Sequence, residues 1–82
     1  MYDILFSDDA KKQLSKLNKE IQKRIAAVLE RVRIRPETYL SKLVGDQGYK
    51  LRVGDYRLII DLEKRQLLIL VIKIGHRRKI YK

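Results

Sequence analysis

Tyr2, Ile4 and Phe6 alternate with Asp3 and Leu5, the period of a strand, so the chain predicts a short β-strand at its start. From residue 8 the period changes. Ala10, Leu14 and Leu17 recur at i, i+4 and i+7 behind a candidate N-cap, Ser7, and two carboxylates, Asp8 and Asp9, that suit the positive end of a helix dipole. This predicts an amphipathic helix over 8–17. Asn18 interrupts it, and Ile21, Ile25, Val28, Leu29 and Val32 make a second stripe, with Lys23, Arg24, Glu30, Arg31 and Arg33 mostly outside it. The residue before a proline is pushed out of the α region, so Arg35-Pro36 ends this helix. Neither helix holds its shape alone in water, which predicts a helical hairpin laid on the apolar face of a sheet.

Residues 36–48 read as a connection with a brief edge strand around Tyr39–Leu43 and a turn at Gly45-Asp46-Gln47-Gly48. The stretch Tyr49–Asp61 then reads as a β-hairpin. Two alternating runs flank Gly54-Asp55, and glycine in first place suits a type II′ turn. A two-residue loop sets Val53 opposite Tyr56, Arg52 opposite Arg57, Leu51 opposite Leu58 and Lys50 opposite Ile59. One face then collects Tyr49, Leu51, Val53, Tyr56, Leu58 and Ile60 as core; the other carries Lys50, Arg52, Arg57, Ile59 and Asp61. After a polar turn, Glu63–Gln66, the run Leu67–Ile74 is apolar on both parities, as in an interior strand covered on both sides, and Gly75 closes it.

These elements predict a single α+β domain over 1–82: an N-terminal strand, a helical hairpin, and a small, mainly antiparallel sheet in the order βααβββ. Without cysteine, disulfides and thiolate metal sites are excluded, and one histidine builds no zinc site. No cofactor or metal is expected. No apolar run reaches the roughly 18 residues that span a bilayer and no leader pattern opens the chain, so the expected location is the cytoplasm, away from membranes. The net charge of +10 points to polyanionic partners.

Charge also singles out a site. Two arginines directly across a sheet repel unless an anion lies between them. Two readings of the Lys50/Arg52/Arg57 face stay open: a solvated basic surface, or an oxyanion or phosphate site. The segment after Gly75, His76-Arg77-Arg78-Lys79-Ile80-Tyr81-Lys82, is either a frayed basic end or part of the same site, with His76 and Arg77 brought within reach of that face by the strand exit.

The order of elements, together with Leu43-Val44-Gly45, Tyr49–Arg57 and Gly75-His76-Arg77 followed by Tyr81, resembles the RelE/ParE toxin family along nearly the whole chain. The resemblance implies a RelE-like toxin of a toxin–antitoxin system, neutralised by an acidic antitoxin, with DNA met only through that antitoxin. RelE-like members cut messenger RNA in the ribosomal A site, inhibiting translation, by attack of the ribose 2′-hydroxyl on the adjacent phosphate without metal; ParE-like members act on DNA gyrase. A non-catalytic basic module that binds RNA or its antitoxin is the third reading.

Carried over by position, the resemblance makes Lys50, Arg52, Arg57, Arg77 and Tyr81 catalytic candidates, and places Lys50, Arg52, Arg57, Arg77, Arg78 and Lys79 on RNA. Arg52 and Arg57 suit fixed charge on the phosphate, since guanidinium binds oxyanions through paired N–H groups. Lys50 is the candidate base, and only as a neutral amine. Arg77 takes the acid's place by resemblance, although His76 is chemically the better proton donor and joins the catalytic set. Tyr81 can stack on a base. The chain departs from the best-known RelE branch at Arg52, where that branch has a second lysine, and in the shorter spacing from Arg77 to Tyr81.

Overall fold

The computed structural model describes residues 1–45 and 47–78. In chain order these form β1 (Asp3–Phe6), α1 (Asp8–Ser15), α2 (Lys19–Val32), α3 (Pro36–Tyr39), β2 (Ser41–Lys42), β3 (Tyr49–Val53), β4 (Tyr56–Glu63) and β5 (Leu68–His76). The strands make one sheet in the order β1-β5-β4-β3-β2. β1 runs parallel to β5 and the other neighbours are antiparallel. This is the expected α+β architecture with one element added, the single turn α3, which starts on Pro36. Proline suits a first helical position, where its missing N–H costs nothing.

Both longer helices begin as their caps dictate. Ser7 Oγ accepts from the Ala10 N–H at 3.0 Å, and Asn18 Oδ1 accepts from the Ile21 N–H at 2.9 Å. α1 is shorter than its apolar repeat, ending at Ser15, and α2 stops at Val32, before the proline forces it to. The end of α2 is tied to the start of the sheet: Tyr2 N–H donates to Arg33 O at 2.9 Å, and Arg33 Nε donates back to Tyr2 O at 3.0 Å.

The core lies between the helices and one face of the sheet. Ile25, Leu29 and Val32 of α2 meet Leu51, Val53, Leu58, Ile60, Ile69, Val71 and Ile74 from the strands, all buried, with Tyr2, Ile4, Phe6, Leu14 and Leu17 packed around them. Each fully buried aliphatic side chain contributes on the order of 2 kcal/mol of transfer free energy.

β5 differs from its expected form in three ways. Gly75 does not close it: Gly75 pairs with Arg57 and His76 with Tyr56. Nor is it covered on both sides. Leu68 and Leu70 stand on the outer face, half-buried, beside Leu5, which is 53% exposed; the helices cover the inner face alone. Third, its pairing with β4 slips by one residue. Ile59 faces Lys73 and Ile60 faces Val71, so Ile72 is extra, a β-bulge. The slip lets Val71 and Ile74 both enter the core and turns Lys73 outward. α1 holds it in place, because Ser7 Oγ donates to Ile72 O at 2.6 Å and Gln13 Oε1 accepts from the Ile74 N–H at 2.6 Å, beyond the last β1 pairing at Val71.

Two stability predictions follow from these contacts. Ser7→Ala removes a helix cap and the anchor of the bulge, and is expected to cost about 1–2 kcal/mol in urea unfolding. Leu67, in the β4–β5 turn, sits at φ +52°, where a branched side chain is strained and only 45% exposed surface is at stake. Leu67→Gly is expected to raise stability by about 0.5–1 kcal/mol, seen as a higher melting temperature.

Candidate functional site

The β3–β4 hairpin carries the register read from its sequence: Val53 faces Tyr56, Arg52 faces Arg57, Leu51 faces Leu58 and Lys50 faces Ile59. Gly54 has φ +60° and Asp55 does not take a positive φ, as a type II′ turn requires. A side chain at residue 54 would be strained there, and its Cβ would stand 3.6 Å from the Arg24 guanidinium of α2, which packs on the turn.

Side-chain alternation then builds a cationic field on the outer face. One row across the sheet is Lys50, Ile59, Lys73, and the next is Arg52, Arg57, Gly75. Gly75 places no side chain beside Arg57. Arg57 is half-buried with its Nε withdrawn from solvent, Lys50 is half-buried, and Arg52 and Lys73 are exposed. Arg52 Nε reaches back to Gly54 O at 3.3 Å. The acids of the same face, Asp3, Asp61 and Glu63, lie toward the far end of the strands, with Leu5, Leu68 and Leu70 among them. The cations of the face thus gather toward the β3–β4 turn and its acids toward the other end, where the exposed Lys64 and Arg65 of the β4–β5 turn stand beside them.

At the positive end a cleft of about 370 Å³ opens where β2 gives out after pairing only with Tyr49 and Lys50. Lys50, Arg52 and Arg57 line it with Tyr39, Ser41 and Val28. Such a cleft presents a lysine and two guanidinium groups to one anion, the arrangement that holds a phosphate diester. Among the described residues no three His, Asp or Glu side chains cluster as metal ligands do.

The C-terminal candidates divide. Arg77 follows β5 with its N–H on Asp55 O at 2.9 Å, so its backbone lies against the hairpin turn, and its side chain is exposed, as is that of Arg78. His76 corrects the expectation that it reaches the arginine face. Because β5 runs through Gly75, alternation carries His76 to the helix side of the sheet. There it packs edge-to-face on Tyr56 with ring centroids 5.7 Å apart, and its Nδ1 accepts from the Arg78 N–H at 3.3 Å. Lys79 and Tyr81 lie outside the described residues.

Sequence reasoning missed Lys73, Tyr39 and Ser41. Nothing local to Lys73 marks the bulge that turns it outward. Tyr39 had a signal, since Pro36 at the head of a short polar stretch is a helix start.

Fold and site together define a small α+β protein built around a cationic sheet end. The same architecture is found in solved toxin–antitoxin structures. The chain superposes with a TM-score of 0.79 on a chain of the intact RelBE toxin–antitoxin complex of Escherichia coli, at 28% identity, covering 93% of this chain and 96% of the other. Against the RelBE2 toxin–antitoxin complex of Mycobacterium tuberculosis the TM-score is 0.78 at 26% identity, with 93% and 98% covered. A protein of Escherichia coli described as a RelE-like toxin is 33% identical over 81 residues, 95% of this chain and 85% of that protein. The family described as the ParE toxin of the type II toxin–antitoxin system parDE matches residues 4–81. The chain belongs to the RelE/ParE family of type II toxins.

The opposed arginines make one prediction about stability alone. Arg52→Glu replaces a like-charge cross-strand pair by an opposite-charge pair with Arg57, and is expected to raise unfolding free energy by about 0.2–1 kcal/mol, an increment that shrinks in high salt.

Proposed function

We propose that this toxin is a ribosome-dependent messenger RNA endoribonuclease, cutting in the A site by attack of the ribose 2′-hydroxyl on the adjacent phosphate. The observation that carries the reading is the placement of Arg52 directly across from Arg57, beside Lys50, in one open cleft. A pair that costs stability is explained by the phosphate it serves.

The reaction forms a bond from the 2′-oxygen to phosphorus and breaks the bond to the 5′-oxygen, leaving a cyclic phosphate and a free 5′-hydroxyl. Arg52 and Arg57 neutralise the charge that builds on the phosphoryl oxygens, where preorganised donors act most strongly. Lys50, beside the two arginines, is the side chain placed to receive the 2′-hydroxyl proton. With His76 turned to the other face, the leaving oxygen is served by Arg77. Arg77 acts as fixed charge, because guanidinium does not give up its proton, and water supplies the proton. Arg78, Lys79 and Tyr81 hold the flanking RNA. Arg24 and Lys73 extend the cationic surface toward ribosomal RNA.

An acidic antitoxin is the expected partner, in line with the complexes that contain this fold. It would neutralise the cationic sheet end and cover the outer apolar band of Leu5, Leu68 and Leu70. The protein would work in the cytoplasm, where ribosomes are. No helix of the described residues is long and apolar enough to cross a membrane.

The test is to add purified protein to ribosomes programmed with a defined message and map new RNA ends, with naked message as control. Cleavage at the A-site codon on ribosomes alone is expected, and Arg57→Ala should lower its rate about 10²- to 10³-fold with unchanged circular dichroism. Full cleavage by folded Arg57→Ala protein would refute the site. Intact message under all conditions would favour gyrase inhibition, the reading that the ParE family match supports, and would be followed by a supercoiling assay.

A further inference from the structure

Two clefts meet at Tyr39. One is the cleft of Lys50, Arg52 and Arg57; the other, about 280 Å³, is lined by Arg31, Ile34, Arg35, Thr38 and Tyr39. Tyr39 belongs to both and is 42% exposed, and Ile34 beside it is 62% exposed. Stability does not ask for this. The buried residue of α3 is Pro36, and its aromatic ring is left at a surface with two guanidinium groups on one side and the phosphate cleft on the other. Glu37, the one acid of α3, lines neither cleft.

We infer that Tyr39, with Arg31 and Arg35, forms a second nucleotide-holding subsite. The ring stacks on an unpaired base next to the nucleotide whose phosphate lies at Arg57, and the two arginines take the phosphates beyond it. The inference rests on the RNA reading above and adds to it a direction for the strand, from the sheet end across α3 to the end of α2. An aromatic face accepts any base, and cations beside it track the backbone, which is how single-stranded nucleic acid is held without sequence preference. An acidic peptide would use the cations but give the ring nothing to stack on.

The chain contains no tryptophan, so Tyr39→Trp introduces a single reporter that keeps the aromatic face. On titration with a uridine hexanucleotide at low salt, its emission is expected to be quenched at unchanged affinity. Tyr39→Ala should weaken the hexanucleotide roughly tenfold while leaving a dinucleotide, which fits in the Arg57 cleft alone, within about twofold. Arg35→Ala should reduce the salt dependence by about one phosphate contact. Hexanucleotide binding that depends on Arg57 but leaves the tryptophan emission unmoved would overturn this inference alone. Absence of hexanucleotide binding by the unaltered protein would overturn this inference, while A-site cleavage on programmed ribosomes decides the RNA reading separately. Equal quenching by an oligoglutamate would overturn it in favour of an acidic peptide.

Discussion

Side chains of a strand alternate, so two small counts decide what faces where in this sheet: two residues in the turn at Gly54-Asp55, and one extra residue at Ile72. The turn sends Leu51, Val53, Leu58 and Ile60 inward and thereby sends Lys50, Arg52 and Arg57 outward. The bulge does the same for β5, allowing Val71 and Ile74 into the core while adding Lys73 to the outer row. Core and cationic surface are the two sides of one register. A one-residue slip in β3 or β4 would exchange them, burying guanidinium groups at a cost far beyond what a domain of this size can spare.

The site stands where the fold can tolerate it. Cations gather at the β3–β4 end, where the sheet borders an open cleft. The acids Asp3, Asp61 and Glu63 of the same face lie further along the strands. Repulsion between Arg52 and Arg57 is held by the flanking inward pairs of the same strands, buried Leu51 against buried Leu58 and buried Val53 against half-buried Tyr56. Unfavourable charge at one cross-strand pair is carried by the packing of its neighbours.

Much of this was legible from residue types alone. The cap at Ser7, the break at Asn18, the hairpin register and the inner face of β3 and β4 all follow from short-range rules, because each is decided by residues close in sequence. The face of His76 and the outward turn of Lys73 do not. They depend on a bulge stabilised by Ser7 and Gln13, residues some sixty positions away that reach the Ile72 carbonyl and the Ile74 amide across the fold. The single turn at Pro36–Tyr39 was hidden for a different reason. Four residues carry no periodicity, so only the proline marked it, and the aromatic partner of the cationic cleft went unnoticed with it.

Among the described elements β1 is the first to be synthesised, and the strand it pairs with, β5, is the last. A parallel pair cannot close through a local turn, so the Asp3–Leu68 and Phe6–Val71 contacts wait until everything between them has emerged. The bulge waits too, since Ser7 at the front of the chain must find Ile72 at the back. During its own translation this protein therefore exists as helices and a hairpin whose sheet is unfinished, with β5 and its neighbouring Arg77 not yet in place. The row of Arg52, Arg57 and Gly75 is therefore the part of the cationic face that is completed latest, when β5 pairs with β4.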